Sequence, residues 1–272
     1  MTKQTAPPIA VLLPVCNAEA FLREAIASVL SQSFDDFELL ALNDGSTDGS
    51  KRILDEFAQH DPRVTVIHRE NRGLVETLNE LIDRTRAPLL ARMDADDICL
   101  PGRFERQHAH MQAHTACACV GGAIELIDDA GSPLRTPPTL LNDSDIQRAA
   151  LSGRTPLCHP AVMMRRDAVI AAGKYQRDTF PAEDLDLFLR LGELGQLANV
   201  PDSVLRYRMH DNSVSVTQSD RQRAQIRRVC RAAHRRRGVA WSSASWIEGK
   251  PEQARGCPVA ANPTASALAS HG

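Results

Sequence analysis

The stretch FELLALNDGSTDGSKRILDEFAQHDPRVTVIH, residues 37–68, contains one full repeat of an alternating pattern. Residues 37–43 form a mostly apolar run of strand length. Ser46, Thr47 and Asp48 are cap-type residues that open a helix. Ile53, Leu54 and Phe57 then recur on one helical face. VTVIH, residues 64–68, supplies the next strand. A strand, a helix and a strand in this order make a βαβ unit.

The same alternation extends both ways. Upstream, IAVLLPV (9–15) is a continuous apolar strand, and residues 18–33 place Phe21, Leu22, Ala25, Ile26, Val29 and Leu30 at helical spacing. Downstream, Gly73 leads into a helix over 74–85, and APLLARM (87–93) is a fourth strand. Repeated units of this kind predict an α/β fold with a mostly parallel, doubly wound sheet and helices on both faces. Ligands of such sheets sit outside the carboxyl ends of the strands. That rule selects PVCN, NDGS, RENRG and MDADD, one after each strand.

Beyond residue 100 the pattern changes. Pro101 opens a helix, residues 117–128 read as a strand, and the Pro-rich link SPLRTPPTLL leads to a short helix. HPAVMMRR (159–166) and SVLRYRMH (203–210) are strand candidates. Residues 182–195 form an amphipathic helix with Leu185, Phe188, Leu189 and Leu191 on its buried stripe, and a basic helix covers about 218–237.

Composition narrows the function. A net charge of −2 argues against a general polyanion binder, and 4% aromatic residues argue against a stacking surface for single-stranded nucleic acid, so no nucleic-acid partner is expected. The seven cysteines are scattered without a Cys-x-x-Cys pair, which reads as idle thiols in a reducing compartment. No stretch has the apolar length of a signal peptide or a membrane span. The expected location is cytoplasmic, at most peripheral at the inner face of the membrane.

Three aspartates at one strand end repel one another and need a counter-charge. Alternation in an extended segment would put Asp94 and Asp96 on the same side. An all-oxygen donor set suits Mg²⁺ or Mn²⁺, which completes its shell with water and phosphates, so a metal-bound nucleotide diphosphate is the expected cargo. Asp44, beside Gly45 and a helix N-terminus, can accept from a base or a ribose, and Arg72 can approach phosphate.

The motifs in order are VLLPVCNAEAF, LLALNDGSTDGS, NRGL, MDADDICLPGRFERQ, HPAVMMRR, AEDLDLFLRL and YRMHDNSVS. Over roughly residues 8–216 this series resembles glycosyltransferase family 2. The resemblance implies the GT-A (Rossmann-like) fold and inverting transfer of a sugar, of hexosyltransferase type, from a nucleotide-diphospho sugar to an acceptor hydroxyl. It implies a divalent metal, Mn²⁺ or Mg²⁺, and a saccharide or lipid-linked saccharide acceptor in surface polysaccharide or lipopolysaccharide synthesis. Pro14, Val15, Asn17, Asp44, Arg72 and Asp94 would hold the donor nucleotide, and Asp96 and His210 the metal. Asp184 would be the catalytic base, while Glu183, His159 and Arg208 are candidates for acceptor contact or support. Residues 1–216 would form the catalytic domain, with 1–100 binding nucleotide and 101–216 the acceptor. Residues 217–248 would be a basic helical extension open to anionic membrane, and 249–272 a disordered tail.

Two departures bear on the donor. Cys16 stands where many relatives carry an aromatic that stacks on the base, and Asn43 stands in NDGS for a commoner aspartate. DADDI (94–98) also approaches the pattern of haloacid-dehalogenase-type phosphatases, but Ile98 stands where Thr or Val is usual, and three βα units precede it. A catalytically idle nucleotide-sugar binder is the other alternative; the presence of Asp44, Asp96 and Asp184 argues against it.

Overall fold

The computed structural model describes residues 6–209 and 219–241. The expected tail over 249–272 and His210 lie outside the described residues.

The chain begins as the alternation predicts: β1 (Ile9–Val15), α1 (Leu22–Leu30), β2 (Phe37–Asp44), α2 (Ser50–His60), β3 (Val64–Arg69), α3 (Leu74–Arg84) and β4 (Leu89–Arg92). It continues through β5 (Ile98–Cys99), α4 (Arg103–Ala113), β6 (Cys117–Ile127), β7 (Pro133–Arg135), α5 (Asp143–Leu151), β8 (Met163–Arg165), α6 (Arg166–Ala171), α7 (Glu183–Leu191), β9 (Gln196–Arg208) and α8 (Ser219–Arg236). Short 3-10 turns occupy His159–Ala161 and Arg177–Thr179.

One sheet runs in the order β3-β2-β1-β4-β8-β6-β9-β5, with β7 added on β6. The first four strands are mutually parallel. β8 is antiparallel to both β4 and β6, and β6 and β9 are parallel.

β1 shows why the sheet has two covered faces. Every residue in it is buried. Ile9, Val11, Leu13 and Val15 join one core layer with Leu22, Ile26, Ile53, Leu54 and Phe104, from α1, α2 and α4. Ala10 and Leu12 join the other layer with Leu78, Leu81, Val169, Leu187 and Phe188, from α3, α6 and α7. Alternation along the strand deals successive side chains to opposite faces, so a strand covered twice reads as continuously apolar. Truncation of Leu12, which is fully buried, to alanine costs about 2–5 kcal/mol by this packing.

α2 opens later than its cap-type residues suggest. It starts at Ser50 after Gly49 with no side-chain cap. Ser46 Oγ instead accepts from Asn17 N (2.9 Å), Thr47 N donates to Asn17 Oδ1 (2.8 Å), and Asp48 Oδ2 accepts from Glu19 N (3.0 Å). These groups fasten the loop after β2 to the loop after β1. Gly45 permits the next loop to close as well: its φ is +74°, and a Cβ there would lie 2.6 Å from Asn71 N.

In the later half, the expected strand over 159–166 shortens to β8 after a 3-10 turn, and the Pro-rich link contains exposed β7 at the sheet edge. β9 begins at Gln196 rather than near residue 203. The six described cysteines are all free, and no described helix is long and apolar enough to cross a membrane.

Candidate active site

The parallel strands β1, β2, β3 and β4 end at one edge, and the selected loops converge there. Pro14 and Val15 close β1 with buried side chains. Cys16 and Asn17 are exposed beyond them, and Cys16 Sγ lies 3.4 Å from its donor, Asn71 Nδ2.

Asp44 is not an open acceptor. Its carboxylate takes Arg69 Nε at 2.9 Å, Arg72 N at 2.9 Å and Gly73 N at 2.8 Å. It therefore braces the loop after β3 and pins the backbone of Arg72, whose side chain remains exposed. Arg69 is its neighbour in the parallel register of β2 and β3.

The aspartates after β4 do not alternate. Residues 95–97 turn, so Asp94, Asp96 and Asp97 each bring a carboxylate oxygen to within 4.8 Å of the others. Asp97 is buried; its Oδ1 accepts from Arg208 N at 2.8 Å, and its Oδ2 has no partner among the described residues. Burial first, then Asp96 and Asp94, push the Asp97 carboxyl well above its ordinary range. Asp94 is raised chiefly by burial, with Arg92 pulling it back. Three clustered carboxylates, one with an orphaned buried oxygen, fit a hard divalent cation.

Arg208 holds this turn from within the fold. Its side chain is 2% exposed, and its guanidinium donates to Asp96 O (2.8 Å), Asp129 O (2.9 Å) and Glu24 Oε2 (2.6 Å) while lying over the Phe21 ring. Arg206, two residues earlier, is the exposed one and pairs with Glu125.

A second acidic group faces the cluster from the first turn of α7. Glu183 is 6% exposed, and its Oε2 has no partner among the described residues. Burial, and then Asp184, push its carboxyl up to about 8. Asp184 is half-buried, and its Oδ1 accepts from Leu185 N at 2.6 Å. Burial raises its carboxyl too, against the pull of the Leu185 N–H and Arg92.

Arg92 connects the two groups, and the motifs did not single it out. It ends β4, is 1% exposed and forms an ion pair with Asp94. Its charge also acts on Asp97, Glu183, Asp184, His159 and Tyr175. The signal available was a lone cation at the end of an otherwise apolar parallel strand. His159 is a supporting residue: its Nε2 lies 2.8 Å from the Tyr175 hydroxyl, its ring lies edge-on to Phe188, and burial beside Arg92 pushes it well below its ordinary range.

The site thus offers an anionic cluster for a cation, a buried arginine, and a carboxylate pair able to hold or take a proton. Comparisons with known proteins give the family and the fold. Residues 10–172 match the family model described as glycosyl transferase family 2. The amylovoran biosynthesis glycosyltransferase AmsE of Erwinia amylovora is 34% identical over 209 residues, covering 75% of this chain and 77% of that protein. The putative glycosyltransferase EpsE of Bacillus subtilis is 33% identical over 196 residues, covering 70% and 69%. Among solved structures, S. aureus TarS in complex with UDP-GlcNAc superposes with a TM-score of 0.68 at 14% identity, over 87% of this chain and 68% of that one. The mannosyltransferase PcManGT from Pyrobaculum calidifontis, in complex with GDP-Man and Mn²⁺, gives 0.65 at 17% identity, over 88% and 67%. These neighbours bear out the GT-A fold, and the family match excludes the phosphatase reading of DADDI. With the family model spanning residues 10–172 and relatives a third identical over 70–75% of its length, the chain belongs to glycosyl transferase family 2.

Proposed function

We propose that the protein is a metal-dependent, inverting hexosyltransferase that moves a sugar from a nucleotide-diphospho sugar to a saccharide or lipid-linked saccharide hydroxyl. The observation that carries this reading is that buried Arg92 pairs with Asp94 of the aspartate cluster while its charge also acts on Glu183 and Asp184, so the two acidic groups share one neighbourhood. Two acidic groups from separate elements can divide leaving-group stabilisation from acceptor activation, which a displacement at an anomeric carbon requires. Asp96, with Asp97 and Asp94 beside it, would hold the cation; when bound, it supplies charge neutralisation for the departing diphosphate.

The remaining steps belong to the chain. Arg72 and Asn17, in loops at the carboxyl ends of the strands, would meet the donor phosphates and nucleoside, and Asp44 fixes the loop that carries Arg72. Asp184 accepts the proton of the acceptor hydroxyl as its oxygen attacks the anomeric carbon. The bond from that carbon to the diphosphate breaks on the opposite face, so the configuration inverts. Base catalysis of this kind contributes about 10²–10⁴-fold in rate. Arg92 favours the ionised form of Asp184 against the burial that opposes it.

The relatives named for amylovoran and O-antigen biosynthesis support a role in polysaccharide synthesis, and the neighbours bound to UDP-GlcNAc and GDP-Man support a nucleotide-sugar donor. A panel of nucleotide sugars, scored for nucleoside-diphosphate release with Mn²⁺ and a saccharide acceptor, tests the reading. One or a few donors should turn over; silence across the panel with diverse acceptors counts against it.

A further inference from the structure

α8 carries a charge pattern that the catalytic site does not use. Residues 219–237 hold eight arginines and one aspartate, a balance of +7. The whole chain has 32 Lys+Arg against 34 Asp+Glu, so everything outside this segment balances to −9. The molecule is therefore strongly polarised, with its positive pole on one helix.

The structure shows which side of α8 is outward. Ile226, Val229, Cys230 and Ala233 pack on Ala182, Leu185 and Leu189 of α7 and on Ala150 of α5. Arg223, Arg227, Arg231 and Arg235 recur every fourth residue and are exposed, which makes one row along the opposite side. Arg221, Arg228 and Arg236 flank the row and are also exposed. Among the described residues, Asp220 pairs with Arg223, Asp178 with Arg228 and Glu193 with Arg236. The segment's balance of +7 makes this a positive strip, about 23 Å long at the helical rise.

The geometry points to an anionic lipid surface as its partner: we propose that the outer face of α8 docks the protein peripherally on membranes that contain acidic phospholipid. Two observations favour a bilayer over a linear polyanion. The strip is the convex side of a single helix laid flat on the body, which matches a plane; a linear chain is gripped by a groove. Apolar residues follow at its end: Val239 is 51% exposed, and the Trp241 ring packs against His234 and beneath Arg231, an Arg–Trp arrangement suited to the headgroup region. The apolar stripe of α8 is already occupied by α7, so the attachment is electrostatic rather than by insertion. The −9 balance of the remainder favours approach through α8, which orients the molecule. The proposal does not depend on the catalytic reading.

The test is sedimentation of the full chain with vesicles rich in phosphatidylglycerol and with pure phosphatidylcholine vesicles, each at low and high salt. Wild type should pellet with the acidic vesicles at low salt, release at high salt and ignore phosphatidylcholine. Arg227→Glu/Arg231→Glu/Arg235→Glu should lower partitioning at least about a hundredfold. The matching triple Gln variant should give an intermediate loss, with cooperative thermal unfolding showing that both variants are folded. Equal binding to both vesicle types, undiminished binding of the Glu variant, or no binding by wild type would overturn the proposal. So would wild type that binds heparin or RNA but leaves acidic vesicles in the supernatant.

Discussion

Glu183→Gln separates two roles that the first turn of α7 brings together. Glu183 is 6% exposed, and burial with Asp184 beside it pushes its carboxyl from an ordinary 4.5 up to about 8. An acid with a raised folded-state pKa binds its proton more tightly in the folded chain than in the unfolded one. Its contribution to stability is complete below the unfolded value and is lost as pH rises through the folded value. From pH 4.5 to pH 7 only the unfolded chain has released the proton. Two and a half units at about 1.4 kcal/mol each amount to a loss on the order of 3 kcal/mol. Glutamine keeps the shape of the protonated acid and has no proton to release. In metal-free buffer the variant should match wild type near pH 5 and become the more stable as pH rises, with a Tm gap of about 5–10 °C by pH 8. Thermal unfolding followed by circular dichroism across pH 5–8.5 measures the gap, and turnover at pH 7 completes the test. Because wild-type Glu183 is protonated there, the variant should keep kcat within a few-fold. Parallel pH profiles for the two proteins would refute the buried-acid reasoning. An inactive Glu183→Gln enzyme beside an active Asp184→Asn enzyme would reverse the assignment of the base.

Asp184→Asn should lower kcat at least about a hundredfold while donor affinity, measured by calorimetry, changes little, because acid–base work touches only the chemical step. Cys16→Tyr should tighten nucleoside-diphosphate binding several-fold, since stacking on a base is worth roughly 1 kcal/mol; unchanged or weaker binding would mean another group occupies that face. Arg208→Met removes the buried donors that hold the aspartate turn, and chemical denaturation should show a loss on the order of 3 kcal/mol. A loss under half a kilocalorie per mole would show that the turn holds itself.

The first half of the fold was legible because parallel strands covered on both faces stay apolar at every position, as β1 does. β9 was half hidden. Its register against β6 passes from Val200 to Ser203, so Pro201 and Asp202 fall out of step and break the period-2 pattern. β7, with three exposed residues, carries no hydrophobic signal. Within the site, the aspartate motif was visible but its geometry was not, because alternation holds in a strand and fails in the turn that follows Met93. Arg92 was missed, and Arg208, a candidate for acceptor contact or support, gave no sign of its partners, for another reason. Arg208 meets Glu24, 184 residues away, and Arg92 acts on α7 across the fold. Such partners follow from packing, not from spacing. Asp44 and Arg69 lie between these cases, since knowing the register of β2 and β3 would have paired them.

The central claim is that sugar transfer runs at the carboxylate cluster after β4 and needs a divalent cation held there by Asp96. The direct measurement is nucleoside-diphosphate release from the active donor by wild type and Asp96→Ala, in EDTA and after addition of Mn²⁺ or Mg²⁺. Wild type should lose activity in EDTA and regain it with either metal, and Asp96→Ala should stay inactive in both. Full wild-type activity in EDTA, or an Asp96→Ala enzyme restored by metal, would contradict the account.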